Sequence, residues 1–203
     1  MKSRISLCIV LTFLTSIAFA QNNIRMTYDY GSESKELLDF TDFENIFVEQ
    51  LNFQGQALAG KTYIIGLEEY ENGKLKDTTV LFDGAEDDYF KITSDSESLK
   101  FFFKLANGKL KTFVKGKKFG SKKAYFNLKT VEDAYILKDF FGSQKEIFLK
   151  PFVKNVVFAI ISPTVHADGF GSYCEVVQSG VNPEDFGNQF DIPHYFLVTI
   201  VFR

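Results

Sequence analysis

The residues best suited to chemistry lie in one short stretch, Thr164-Val-His166-Ala-Asp168-Gly-Phe-Gly-Ser-Tyr-Cys174-Glu175. A thiol beside an imidazole, with a carboxylate to orient the ring, is the arrangement that activates a cysteine nucleophile. His166 would be the base, Asp168 or Glu175 the orienting group and Cys174 the nucleophile of a thiol-dependent or other hydrolase. The alternation in Ser172-Tyr-Cys-Glu-Val-Val177 argues otherwise, because it sets Cys174 beside Val176 on one strand face as a buried apolar thiol. Gly169 and Gly171 read more simply as a turn. The preferred reading therefore assigns no catalytic residue and does not make the chain an enzyme.

Metal chemistry has equally little support. Asp83-Gly-Ala-Glu86-Asp87-Asp88 offers oxygens to a calcium ion, but its spacing departs from the EF-hand pattern, and acidic loops between strands are commonly just hydrated. The chain has only two histidines, His166 and His194, too few for a multi-histidine cage. His194 follows Pro193 at the start of the last strand and reads as structural. No nucleophile elbow, phosphate-binding loop or dinucleotide fingerprint occurs, so no cofactor is implied and no metal is assigned.

A binding surface is easier to find. Asn107-Gly108 is a type I′ turn signal, and folding Leu99 to Lys115 about it pairs Leu105 with Leu110, Phe103 with Thr112 and Phe101 with Val114 as a core face. The other face then carries Lys100 opposite Lys115, Phe102 opposite Phe113 and Lys104 opposite Lys111. Like charges facing each other across a ladder are mildly destabilising, so this surface is the candidate binding site. Lysines on a hairpin edge that deter edge-to-edge pairing would look the same in sequence.

Charge is strongly polarised along the chain. Asp29 to Glu97 holds 17 acids and 5 lysines, a segment charge of −12, whereas Lys100 to Lys129 holds 10 lysines and no acid. Such a positive field suits an anionic glycan or an acidic patch on an envelope protein. Nucleic acid is a poor partner for it, because the patch lacks arginine and the chain is acidic overall, with a net charge of −3. With 24 phenylalanines and no tryptophan, sugar stacking would fall to Phe or Tyr.

The elements that must position these residues are mostly strands. A second Asn-Gly turn, Asn72-Gly73, folds Lys61 to Phe82 into a hairpin pairing Glu71 with Lys74, Glu69 with Lys76, Leu67 with Thr78, Ile65 with Val80 and Tyr63 with Phe82. Ile46 to Phe53, Tyr125 to Lys129, Ile147 to Phe152, Val156 to Ile161, Tyr173 to Gln178 and Tyr195 to Phe202 add further strands. Asn182-Pro183-Glu184-Asp185 is a helix start. Val131 to Phe141 fits a capped helix, with a strand over Tyr135 to Phe140 competing, and Ser34 to Asn45 has helical spacing at Leu37, Phe40 and Phe43. The fold expected is a single all-β, antiparallel sandwich, the immunoglobulin-like arrangement among the options, with one or two short helices.

Lys2 and Arg4, an apolar run from Ile5 to Phe19 and the closing Ala18-Phe19-Ala20 read as a cleavable signal peptide over residues 1–20. Residues 21–45 form a lead-in and residues 46–203 the sandwich domain. Cys8 departs with the signal, which leaves Cys174 without an intramolecular partner. No later segment reads as a transmembrane helix. The last strand, ending in Phe202-Arg203, looks like the closing strand of a small outer-membrane barrel, although barrel strands alternate lipid-facing and lumen-facing residues and this one is apolar on both faces.

The segments Tyr70 to Gly84 and Gly171 to Phe202, with the signal and the Phe and Lys usage, resemble exported proteins of unknown function of the Bacteroidota type. The resemblance implies an envelope, periplasmic or secreted location and transfers neither a catalytic residue nor a ligand. Together these features predict a non-catalytic binding or structural module of the cell envelope that recognises a glycan, a polyanion or a protein.

Overall fold

The computed structural model describes residues 23–32, 34–165, 171–173, 176 and 180–203. About half of these residues form two antiparallel sheets packed face to face, as an all-β sandwich requires. The first sheet has six strands. They are β1 (Ile24–Tyr30), β2 (Ile46–Gln54), β5 (Ser96–Ala106), β6 (Lys109–Lys115), β7 (Ala124–Asn127) and β9 (Ile147–Leu149), in the order β7-β6-β5-β2-β1-β9. The second has five, β3 (Tyr63–Glu71), β4 (Lys74–Asp83), β8 (Ile136–Asp139), β10 (Asn155–Ile161) and β13 (His194–Phe202), in the order β4-β3-β13-β10-β8. This is larger than the seven-stranded immunoglobulin arrangement. Among the described residues the strands make open sheets with free edges, whereas a membrane-spanning barrel needs one closed sheet. No described helix is long and apolar enough to cross a membrane.

The core follows from alternation. In β5 every second residue is buried, so Leu99, Phe101, Phe103 and Leu105 point inward and meet Phe158, Phe196, Val198, Ile200 and Phe202 of the opposite sheet. Phe101 and Phe103 both set ring edges against Phe158, at 5.3 and 5.9 Å between centroids, and Phe53 meets Phe202 at 5.2 Å. Burying a side chain of this size contributes roughly 2 to 3 kcal/mol, which accounts for the heavy use of phenylalanine.

The two Asn-Gly hairpins behave differently. Asn107 and Gly108 hold φ of 54° and 67°, and the β5–β6 register is the expected one, with Lys100 opposite Lys115, Phe102 opposite Phe113 and Lys104 opposite Lys111. In β3–β4 the turn also pairs Glu71 with Lys74, but the register slips between Glu69 and Tyr70 and again between Ile65 and Gly66. Glu69 therefore faces Asp77, Leu67 faces Thr79 and Ile65 faces Phe82, in place of the unbroken pairing. Bulges of this kind twist and interrupt an edge strand, and β4 is the long edge of its sheet. Lys76 still reaches Glu69 at 3.3 Å and Glu71 at 3.0 Å.

Elsewhere three ambiguous or missed segments take definite form. Ser34 caps helix α1 (Lys35–Phe43) by accepting a bond from the Leu37 amide at 3.3 Å. The strand reading prevails after Tyr135, where β8 pairs with β10. Ile24–Tyr30, assigned above to the lead-in, is a strand between β2 and β9.

The middle of the second sheet's outer face is covered, while β4 at its edge stays mostly exposed. Tyr70, Ala159, Ile161, Tyr195 and Leu197 pack beneath Phe186 and Ile192, which belong to the segment containing helix α2 (Phe186–Phe190). Asn182 starts that segment as expected, its side chain accepting from the Glu184 amide. The small ladder of β11 (Thr164–Val165) with β12 (Gly171–Ser172) lies in the same excursion between β10 and β13. Gly187 permits the approach, since a Cβ there would stand 2.5 Å from the Gly73 backbone.

Among the described residues one buried side-chain polar atom is unmatched. The Thr112 hydroxyl, on a residue 1% exposed, has no hydrogen-bond partner among the described residues. Thr112→Val should therefore raise stability by about 1 kcal/mol. Thermal or urea unfolding checks this, and a lower midpoint would mean that the hydroxyl is satisfied.

Candidate functional site

The candidate site is the outer face of the first sheet. Because β5 and β6 alternate without interruption, burying Leu99, Phe101, Phe103, Leu110, Thr112 and Val114 obliges Lys100, Phe102, Lys104, Lys111, Phe113 and Lys115 to face outward. The structure thus brings together all six residues singled out for binding. None of them is buried, and Phe102 and Phe113 form a half-exposed pair at 5.6 Å between centroids. On either side of this pair the lysines oppose each other directly, with about 5 Å between Cβ atoms.

Their surroundings differ from those of edge lysines. β5 is flanked by β2 and β6, and β6 is flanked in turn by β7, where Lys111 lies opposite Tyr125. Lys104 is neutralised by Glu44, at 2.6 Å. Lys100, Lys111 and Lys115 have no carboxylate at salt-bridge distance among the described residues. Edge protection therefore does not explain Lys100 and Lys111.

Next to the lysines lies a polar array that sequence reading did not single out. Outward positions of β1, β2 and β5 align as Thr27, Asn52 and Ser98 in one row, and as Asp29, Gln50 and Lys100 in the next. Asn52 Nδ2 donates to Asp29 Oδ2 at 2.8 Å, Ser98 Oγ donates to Asn52 Oδ1 at 2.9 Å, and Gln50 Nε2 donates to Asn52 Oδ1 at 3.1 Å. The available signal was the alternation in Ile-Arg-Met-Thr-Tyr-Asp-Tyr30, which places Arg25, Thr27 and Asp29 on one face.

The other sequence candidates fare differently. His166, Asp168, Cys174 and Glu175 lie outside the described residues. In the acidic loop, Asp83 and Asp87 accept the Ala85 and Tyr89 amides at 2.8 and 2.7 Å, Asp88 pairs with Lys91 at 2.8 Å, and Glu86 is exposed. These carboxylates act locally, as turn caps and an ion pair. Among the described residues no group of three metal-ligating side chains occurs.

His194 joins an unforeseen buried chain. Its Nδ1 lies 2.6 Å from the Tyr135 hydroxyl and its Nε2 3.2 Å from Glu69 Oε1. A carboxylate can only accept, so Nε2 carries the proton and Nδ1 accepts from Tyr135, whose oxygen accepts in turn from the Lys129 amide at 3.1 Å. The order resembles a nucleophile, base and orienting acid, but Tyr135 is 3% exposed and His194 1%, which leaves no access for a substrate. Burial pushes the Tyr135 hydroxyl up and the His194 imidazole down, the latter against the opposing pull of Glu69.

No protein-family model, curated protein or solved structure matches the chain.

A lowered imidazole pKa means that the folded state disfavours the cation. Stability from His194 is present above its ordinary value of 6.5 and is lost as pH falls below it. An NMR titration of the imidazole should show a neutral Nε2–H ring at pH 6.5. A midpoint above that value would contradict the assignment.

Proposed function

We propose that the chain is a non-catalytic binding module of the bacterial cell envelope, and that the outer face of the first sheet docks an anionic glycan. The observation that carries this reading is the position of Lys100 and Lys111 inside the sheet without acidic partners among the described residues, Lys100 directly opposite the equally unpaired Lys115 and Lys111 opposite the Glu44-paired Lys104. Opposed like charges cost the fold roughly 0.2 to 1 kcal/mol per pair, and an interior strand needs no protection from pairing. An anionic ligand would relieve that repulsion. The half-exposed Phe102 and Phe113 would supply an apolar floor between the charged rows.

Export is part of the proposal. It rests on the signal-like residues 1–20 and on the resemblance to exported Bacteroidota proteins. Its expected outcome is a secreted or periplasmic product whose mass begins at Gln21.

The binding test uses Lys100→Gln, Lys111→Gln and Lys115→Gln together, leaving Lys104 with Glu44. The parent should bind a heparin column and elute with salt, since screening weakens such contacts. The triple variant should lose most of that retention, and its stability should rise by about 0.5 kcal/mol as the opposed charges disappear. Unchanged retention would overturn the reading.

A further inference from the structure

The lysines occupy only half of the open face. The other half is the Asp29, Gln50, Asn52 and Ser98 array, and the two halves meet in one row, where Lys115, Lys100, Gln50 and Asp29 stand opposite one another across four strands. That row spans three strand spacings, about 14 Å. One end is cationic and the other is an amide-ringed carboxylate. A uniform polyanion fits the lysine end but would be repelled over Asp29.

The array has the chemistry of a hydroxyl reader. Asp29 accepts, Gln50 and Asn52 each both donate and accept, and Ser98 and Thr27 do both through one oxygen. Side chains already bonded to one another on rigid strands lose little freedom when a ligand arrives. The surface is also concave on both flanks. A cavity of 860 Å³ opens beside Asp29 and Gln50, walled by Tyr28, Ser143 and Lys145, and one of 240 Å³ opens beside Asn52 and Ser98, walled by Arg25, Glu97 and Lys117.

We infer that the ligand is an acidic polysaccharide, and that this array reads its sugar hydroxyls while Lys100, Lys111 and Lys115 hold its acid groups. The inference rests on the binding reading above and adds selectivity to it. Spaced charges separated by hydroxyl-bearing rings match a face with unpaired lysines at one end and a mixed array at the other, where Asp29 stands among amides and hydroxyls and Arg25 is paired with Glu146 at 3.2 Å. A polyphosphate or an acidic polypeptide matches only the lysines.

The experiment compares binding of polygalacturonate, heparin and long-chain polyphosphate to the parent, to Gln50→Ala/Asn52→Ala, to Ser98→Ala and to the triple lysine variant, with folding of each checked by its unfolding transition. The parent should prefer the polysaccharides to polyphosphate. Gln50→Ala/Asn52→Ala should weaken polysaccharide binding about tenfold, the equivalent of one or two hydrogen bonds, and leave polyphosphate binding unchanged. Ser98→Ala, which removes a single hydroxyl, should move in the same direction by less. Equal effects on all three polymers, or no effect of the array variants while the lysine variant loses binding, would overturn the hydroxyl-reading role and leave the lysine face standing. Absence of binding to every polymer would overturn both.

Discussion

The two-residue period of β5, locked in register by the Asn107-Gly108 turn, is the constraint from which the rest of the first sheet follows. Leu99, Phe101, Phe103 and Leu105 are buried to within 2% exposure, so a one-residue slip would exchange them for Lys100, Phe102 and Lys104. The core thus fixes the outer face without specifying what that face should carry. Sheet stability alone would favour threonines or opposite charges in those rows. Opposed lysines are what the chain supplies, and the polar array beside them continues the same alternation through β2 and β1.

The two sheets then divide the work. In the second, β13 is buried along almost its whole length on both faces, because Phe186, Ile192 and their neighbours cover Tyr195 and Leu197. Tyr70 stacks on Tyr195 at 4.8 Å, and the Tyr195 hydroxyl donates to the Glu184 carbonyl at 2.8 Å, which ties the cover to the sheet. Lys154 adds ion pairs to Glu68 at 2.8 Å and Glu184 at 2.6 Å. In the first sheet no described outward residue of β2, β5 or β6 is buried. A sheet whose central strands are covered on both faces therefore backs an open one, the disposition expected of a scaffold that presents a surface.

Much of this was legible in the sequence where the signal is local. The β5–β6 register could be read residue by residue, because an Asn-Gly turn and unbroken alternation leave no other pairing. The β3–β4 register could not, since its two bulges answer to the twist of the whole sheet. Residues 24–30 carry a clear alternation, yet a seven-residue strand near the N-terminus has no turn partner to announce it. Strand order was the larger gap. Whether Lys100 sits at an edge or inside a sheet depends on β2 pairing with β5, and the buried chain depends on His194 meeting Glu69, 125 residues away.

The central claim is that the face dictated by β5 and β6 is the one that meets the ligand, and amine footprinting tests it most directly. Lysines would be acetylated with and without heparin and their modification compared by mass spectrometry. The account predicts protection of Lys100, Lys111 and Lys115, with Lys61, Lys76 and Lys91 unchanged. Protection centred on any lysines other than those three, or none at all, would contradict it.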